Sequence, residues 1–130
     1  MTSTREAKII VADDHALARE SLRTMLESVA DLQVLAEAKD GQESIELCRL
    51  LRPDLVLMDV GMPKVNGFEA TQTIKAELPT TKVLMVSAYI DPFFVSQVLS
   101  GGADGYVSNL CTVQELVDVI RGVLRGESQK

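Results

Sequence analysis

A chain of 130 residues holds one domain and is too short for two of ordinary size. Its 46% hydrophobic and 25% charged residues make a globular composition, which excludes wholesale disorder and supports a core without disulfides or structural metal. A net charge of -6 disfavours any grip on nucleic acid or an anionic membrane by this chain alone.

No apolar run reaches membrane-spanning length, and Met1 to Lys8 lacks the long apolar stretch of a signal peptide. The two cysteines, Cys48 and Cys111, lie far apart, and His15 is the single histidine, so neither a zinc motif nor a disulfide framework is spelled out. A reducing, cytoplasmic setting is the expectation.

Five repeats of one rhythm follow. Lys8–Ala12 is a short β-branched run that ends at Asp13-Asp14, and Ala18, Leu22, Met25 and Val29 then mark one helical face. Gln33–Ala38 reads as a second strand, Asp40-Gly41 as a turn, and Ile45, Cys48 and Leu51 as the apolar face of a second helix stopped by Arg52-Pro53. Asp54–Met58 is the most apolar strand; it ends in Asp59 and opens into the loop Val60–Gly67. A third helix runs from near Gly67 to before Pro79, and Lys82–Ser87 is the fourth strand. Asp91-Pro92 reads as a cap and first turn of a fourth helix, which ends at Gly101-Gly102. Gly105–Val107 is a short fifth strand, and Val113, Leu116, Val117, Ile120, Val123 and Leu124 phase a last amphipathic helix.

Strands alternating with helices predict an α/β fold, a parallel sheet covered on both faces. Five units fit a flavodoxin-like doubly wound (βα)5 sheet in the order 2-1-3-4-5. The domain spans residues 1–126, with 127–130 as a tail or the start of a linker.

That order brings the carboxyl ends of strands 1 and 3 to one crevice, and with them Asp13, Asp14 and Asp59. Three carboxylates this close raise one another's pKa unless a cation sits among them, and Mg²⁺ suits an all-oxygen donor set. Any one of them alone would read as a helix cap. The turn Ala12–His15 has no glycine and two negative charges, which disfavours direct nucleotide or flavin binding. An Asp in such a pocket can instead attack a phosphoryl group.

These residues resemble the receiver domain of two-component response regulators, over about Ala7 to Gly126. The resemblance rests on Asp13-Asp14, on Met58–Pro63 with Gly67 beyond it, on Ser87 closing strand 4, and on Gly102–Tyr106 entering strand 5. The wording around Ala12–His15 and Gly102–Tyr106 is similar to the subgroup with a C-terminal LuxR-type helix-turn-helix. The resemblance implies that Asp59 accepts a phosphoryl group from a sensor histidine kinase. It implies that Asp14, Asp59 and the Gly61 carbonyl ligate Mg²⁺, with Asp13 acting through water. Ser87 would bond the phosphoryl oxygen and Tyr106 would turn inward, changing the face of helix 4, strand 5 and helix 5. That face is also the one implied for homodimerisation, and the output would be transcriptional, through a DNA-binding domain.

The pattern breaks at Asn109, which stands where the family carries Lys, and no lysine lies between Lys82 and Lys130. Asn can donate a hydrogen bond but cannot neutralise an anion. Dependence on Mg²⁺ is expected to rise and phosphorylation to slow. The alternative reading is a degenerate receiver, an interaction module uncoupled from phosphorylation. A haloacid-dehalogenase-like phosphatase is disfavoured, because Asp59-Val60-Gly61 lacks the second Asp of that class.

His15 reads as a rim residue in the first turn of helix 1, Cys48 as core, and Cys111 as a residue without a role. Phe93 and Phe94, with Tyr89 and Ile90, read as core with an exposed member suited to a partner surface. Lys64 reads as a solvated loop lysine, or as a partial substitute for the missing charge.

Overall fold

The computed structural model describes residues 6–60, 62, 66–87 and 92–126, with Phe94 described by its backbone. Gly61, Lys64, Tyr89, Ile90, the Asp91 cap, the Phe94 side chain and the 127–130 tail lie outside the described residues.

Ten elements alternate: β1 (Ala7–Ala12), α1 (Ala16–Glu27), β2 (Leu32–Ala38), α2 (Gly41–Leu51), β3 (Leu55–Asp59), α3 (Gly67–Glu77), β4 (Lys82–Ser87), α4 (Pro92–Ser100), β5 (Gly105–Ser108) and α5 (Val113–Leu124). The strands form one sheet in the order β2-β1-β3-β4-β5, and every pair is parallel. This is the doubly wound arrangement expected from the sequence. Asp59 closes β3 rather than following it.

The period of two along each strand sorts the core into two layers. Ile10, Ala12, Val56, Met58, Val83, Met85 and Tyr106 pack with Ile45 and Cys48 of α2, Ala70 and Ile74 of α3 and Val98 of α4. Ile9, Val11, Leu55, Leu57, Leu84 and Val107 face the other way, onto Leu26 of α1 and Leu116, Val117, Ile120 and Val123 of α5. Central strands buried on both faces explain why β1 and β3 read as continuous apolar runs rather than as alternating ones.

Several local readings need correction. Asp40 is not a turn residue but the N-cap of α2, its side chain accepting from the Glu43 N–H at 2.8 Å. Val29 lies beyond the end of α1, where its N–H closes on the Leu26 carbonyl. Leu51 and Val113 do not join the core; each is the terminal residue of its helix, and both are exposed. Arg52 ends α2 in the left-handed region at φ 48°, with its N–H on the Cys48 carbonyl. Gly102, at φ 107°, ends α4 where the sequence placed the stop. Among the described residues no helix is long and apolar enough to cross a membrane.

Candidate functional site

The crevice is built from strand ends. β1 pairs with β3 so that Ala12 lies beside Met58, and the next residues on each strand are Asp13 and Asp59. The Asp13 N–H donates to the Ala38 carbonyl at 3.0 Å, which ties this corner to the end of β2. One ligand atom from each of Asp13, Asp14, His15 and Asp59 lies within 4.8 Å of all the others. The sheet order thus brings the three carboxylates together, and an imidazole joins them.

None of the acidic pair caps α1. His15 occupies the N-cap, not the first turn, and its side chain makes no capping bond. Its N–H donates to Asp13 Oδ1 at 2.8 Å. The ring Nδ1 lies 3.3 Å from Asp13 Oδ1 and 3.2 Å from Asp14 Oδ1. Asp13 is only 13% exposed and Asp14 27%, whereas the His15 ring is 76% exposed. Asp14 Oδ1 is itself buried and receives no hydrogen bond. A buried carboxylate oxygen without a donor is costly unless something positive meets it. The three clustered carboxylates, with such an oxygen among them, fit a hard divalent cation.

Arg19 and Arg23 were not singled out by the sequence, and both matter to this corner. Arg19 Nη1 donates to the Asp13 carbonyl at 2.8 Å while its Nε donates to Glu37 at 2.9 Å. Arg23 Nη1 donates to the other Glu37 oxygen at 2.7 Å. These bonds, Arg23 foremost, hold the Glu37 carboxyl below the usual glutamate range despite its partial burial. The network fastens α1 to β2 and fixes the backbone that presents Asp13. No short sequence motif announces it, because the partners are 14 and 18 residues apart.

On the other side, Ser87 ends β4 and is buried. Val86 is the register partner of Asp59, which puts Ser87 one step beyond it at the same edge. Asn109 follows β5 and is exposed; its N–H donates to the Ser87 carbonyl at 3.0 Å. Tyr106 is buried in the layer shared with α3 and α4. A cleft of about 400 Å³ joins Asp13, Asp59 and Asn109 to apolar walls from Leu22, Val107 and Leu116.

Cys111 lines this cleft half-buried, rather than standing free at the surface, and burial pushes its thiol pKa up. Cys48 is fully buried, as expected of core, with its pKa pushed up to about 12. Phe93 is 72% exposed on α4, the exposed aromatic the sequence allowed for. The fifth-strand motif has a structural use: Asp104 Oδ2 accepts from Lys75 Nζ at 2.9 Å and from the Val83 N–H at 2.9 Å, clamping α3 and β4 to the start of β5.

A sheet in this order that closes its crevice with carboxylates, not with a glycine-rich turn, is no nucleotide-binding fold of the usual kind. The response regulator receiver domain model matches residues 9–121, and the chain belongs to that family. It is 37% identical over 119 residues to the transcriptional regulatory protein DegU of Brevibacillus brevis, covering 92% of this chain and 50% of that one. It is 36% identical over 121 residues to the response regulator protein VraR of Staphylococcus aureus, covering 93% and 58%. The chain therefore spans about half the length of the curated relatives it matches. The signal receiver domain of NarL from Mycobacterium tuberculosis superposes with a TM-score of 0.89 at 33% identity, over 95% of this chain and 99% of that one. A LuxR-family two-component response regulator from Aurantimonas sp. SI85-9A1 gives 0.90 at 33%, over 95% and 88%. This is a receiver domain of the LuxR/DegU type.

Proposed function

We propose that this domain accepts a phosphoryl group on Asp59 from the phosphohistidine of a sensor kinase and passes the change to the face made by α4, β5 and α5. The observation that carries the reading is the meeting of Asp13, Asp14 and Asp59 within one cation's reach at the crevice. Asp13, Asp14 and Asp59 are the side chains that would hold Mg²⁺, Asp13 through water; the Gly61 carbonyl, also implied, lies outside the described residues. Bound there, Mg²⁺ supplies the positive charge that a transferring phosphoryl group requires.

A carboxylate oxygen of Asp59 attacks phosphorus, and the P–N bond to the donor imidazole breaks. The imidazole leaves with the electron pair and takes a proton, and Asp59 becomes an acyl phosphate. The Ser87 hydroxyl then donates to a phosphoryl oxygen. Tyr106, two residues before Ser87's register partner Ser108 on β5, carries the shift into the α4 layer. The domain turns over no separate substrate. The name of DegU, a transcriptional regulatory protein, supports a transcriptional output; a DNA-binding output domain and homodimerisation through the switching face complete the reading.

A second reading, a receiver uncoupled from phosphorylation, is favoured by one observation. Asn109 is neutral and exposed, and its backbone N–H is bonded to the Ser87 carbonyl. Intact mass after incubation with acetyl phosphate tests the first reading. One phosphoryl adduct that requires both Asp59 and Mg²⁺ is expected; an adduct that survives Asp59→Asn would overturn it.

A further inference from the structure

We propose that Arg19 is a positioning residue of the acidic centre: its guanidinium holds the Asp13 peptide against β2, and the cation affinity of the crevice depends on that hold. The inference rests on the reading that the crevice binds a divalent cation, and it names a residue outside the carboxylate set that tunes the binding.

Both polar groups of the Asp13 main chain are anchored on β2. The N–H donates directly to the Ala38 carbonyl at 3.0 Å. The carbonyl accepts from Arg19 Nη1 at 2.8 Å, and Arg19 Nε donates to Glu37, the residue before Ala38, at 2.9 Å. Arg19 also reaches back through its own main chain, its N–H donating to the His15 carbonyl at 2.9 Å. The His15 N–H in turn donates to Asp13 Oδ1 at 2.8 Å. The turn that presents Asp13 and Asp14 is therefore closed on β2 at one end and on Arg19 at the other.

β2 is irregular at the place that makes this possible. Ile9 pairs with Val34, but Ile10 pairs with Ala36, so β2 carries one extra residue there. Val34 belongs to the layer of α1 and α5, whereas Ala36 packs with the opposite layer. The extra residue turns Glu37 to the face of Val34, where α1 lies; an unbroken period of two would aim it at the layer of α2 and α3.

The side chain suits the task. A guanidinium offers its N–H groups in one fixed plane, so a single Arg bridges a carbonyl and a carboxylate in set geometry, which a single ammonium does not. Arg19 and Glu37 are only 19% and 21% exposed, so the bridge is held largely out of water. Arg23 shares Glu37 through its other oxygen, yet its printed bonds go to Glu37 and Glu27 and not to Asp13. Partners that orient metal ligands from outside change metal affinity about ten- to a hundred-fold when removed. Arg19 acts on the main chain of a residue that meets the ion through water, so the lower end of that range applies.

The test is calorimetric titration of Mg²⁺ into the wild-type chain, Arg19→Met, Arg19→Lys, Arg23→Met and Asp59→Asn, with urea midpoints recorded for each. Asp104→Ala serves as a destabilised control, because its bonds lie at the start of β4, the opposite edge of the sheet. Expected is a fall of about tenfold in Mg²⁺ affinity in both Arg19 variants, and of about threefold or less in Arg23→Met. Asp104→Ala is expected to lower the midpoint and leave the affinity unchanged. Unchanged affinity in Arg19→Met, while Asp59→Asn weakens binding, would overturn the role of Arg19 and leave the carboxylate centre standing. Affinity kept by Arg19→Lys and lost by Arg19→Met would place the effect in charge and overturn positioning. An equal fall in Arg23→Met or Asp104→Ala would show affinity following stability and overturn the assignment to Arg19. No binding of Mg²⁺ to the wild-type chain would overturn both this inference and the reading beneath it.

Discussion

A side chain at Gly67 would strike the backbone of Asp59: an added Cβ lies 2.5 Å from the Asp59 carbonyl oxygen and 2.9 Å from Val60 Cα. The Gly67 N–H donates to the Val60 carbonyl at 3.0 Å, so the first residue of α3 packs directly on the strand end that presents the proposed acceptor. Neither contact is with a flexible side chain, so neither can yield cheaply. Gly67→Ala is expected to cost about 1–3 kcal/mol, as forced overpacking does, and to lower the rate of adduct formation at Asp59. Urea denaturation and intact mass read the two effects, and unchanged values of both would contradict the packing argument.

Restoring a cation is the second prediction. A charge-assisted contact to a buried anion is worth about 1.5–3 kcal/mol, so Asn109→Lys should speed phosphorylation roughly ten- to a hundred-fold at fixed Mg²⁺. It should also flatten the dependence of the rate on Mg²⁺. Time courses with acetyl phosphate over a Mg²⁺ series measure both. Equal rates and equal Mg²⁺ curves in the two proteins would show that a neutral residue at this position costs nothing.

Acid sensitivity is the third. The guanidinium of Arg23, then that of Arg19, holds Glu37 below its ordinary value of 4.5. A carboxyl depressed in the folded state stabilises the fold above its unfolded pKa, and that stability is lost as pH falls through the folded pKa. The stability gap between the wild-type chain and Glu37→Gln should therefore be full at neutral pH and close on acidification below 4.5. Denaturant midpoints from pH 7 down to about 3 test this, and a gap that widens on acidification would reverse the sign of the argument.

The clamp at Asp104 gives the fourth. Asp104→Ala removes the acceptor for Lys75 Nζ and for the Val83 N–H together. Hydrogen bonds to a charged group at a partly buried site contribute about 1.5–3 kcal/mol, and the loss should appear as a lower denaturant midpoint with an unchanged slope. Lys75→Met should cost less, since Asp104 keeps the Val83 N–H. The reverse order would place the stabilising role on the lysine's other bonds, to the Pro79 and Thr81 carbonyls.

What the sequence showed and what it hid divide by distance along the chain. Strands such as Leu55–Asp59 are contiguous apolar runs, so their burial and their acidic ends are visible residue by residue. The order of the sheet then brings Asp13, Asp14 and Asp59 together without further information. The bonds of Arg19 and Arg23 to Glu37, and of Lys75 to Asp104, join residues far apart in the chain, and composition cannot choose among the many possible partners. His15 is adjacent to the acidic pair in sequence, yet only coordinates reveal its nitrogen between two carboxylate oxygens. The caps are legible at short range: Asn66 with Glu69 and Thr112 with Glu115 both spell a capping box, and both form.

The central claim is that phosphorylation of Asp59 reaches the α4–β5–α5 face although Asn109 carries no charge. The most direct measurement is the two-dimensional amide spectrum of the ¹⁵N-labelled chain with Mg²⁺, before and after reaction with acetyl phosphate. The account predicts shifts at Asp59 and Ser87 that continue through Tyr106 and Val107 into α4 and α5. Shifts confined to the ends of β1 and β3, with Tyr106 and α4 unmoved, would contradict it and leave a phosphorylated but uncoupled domain.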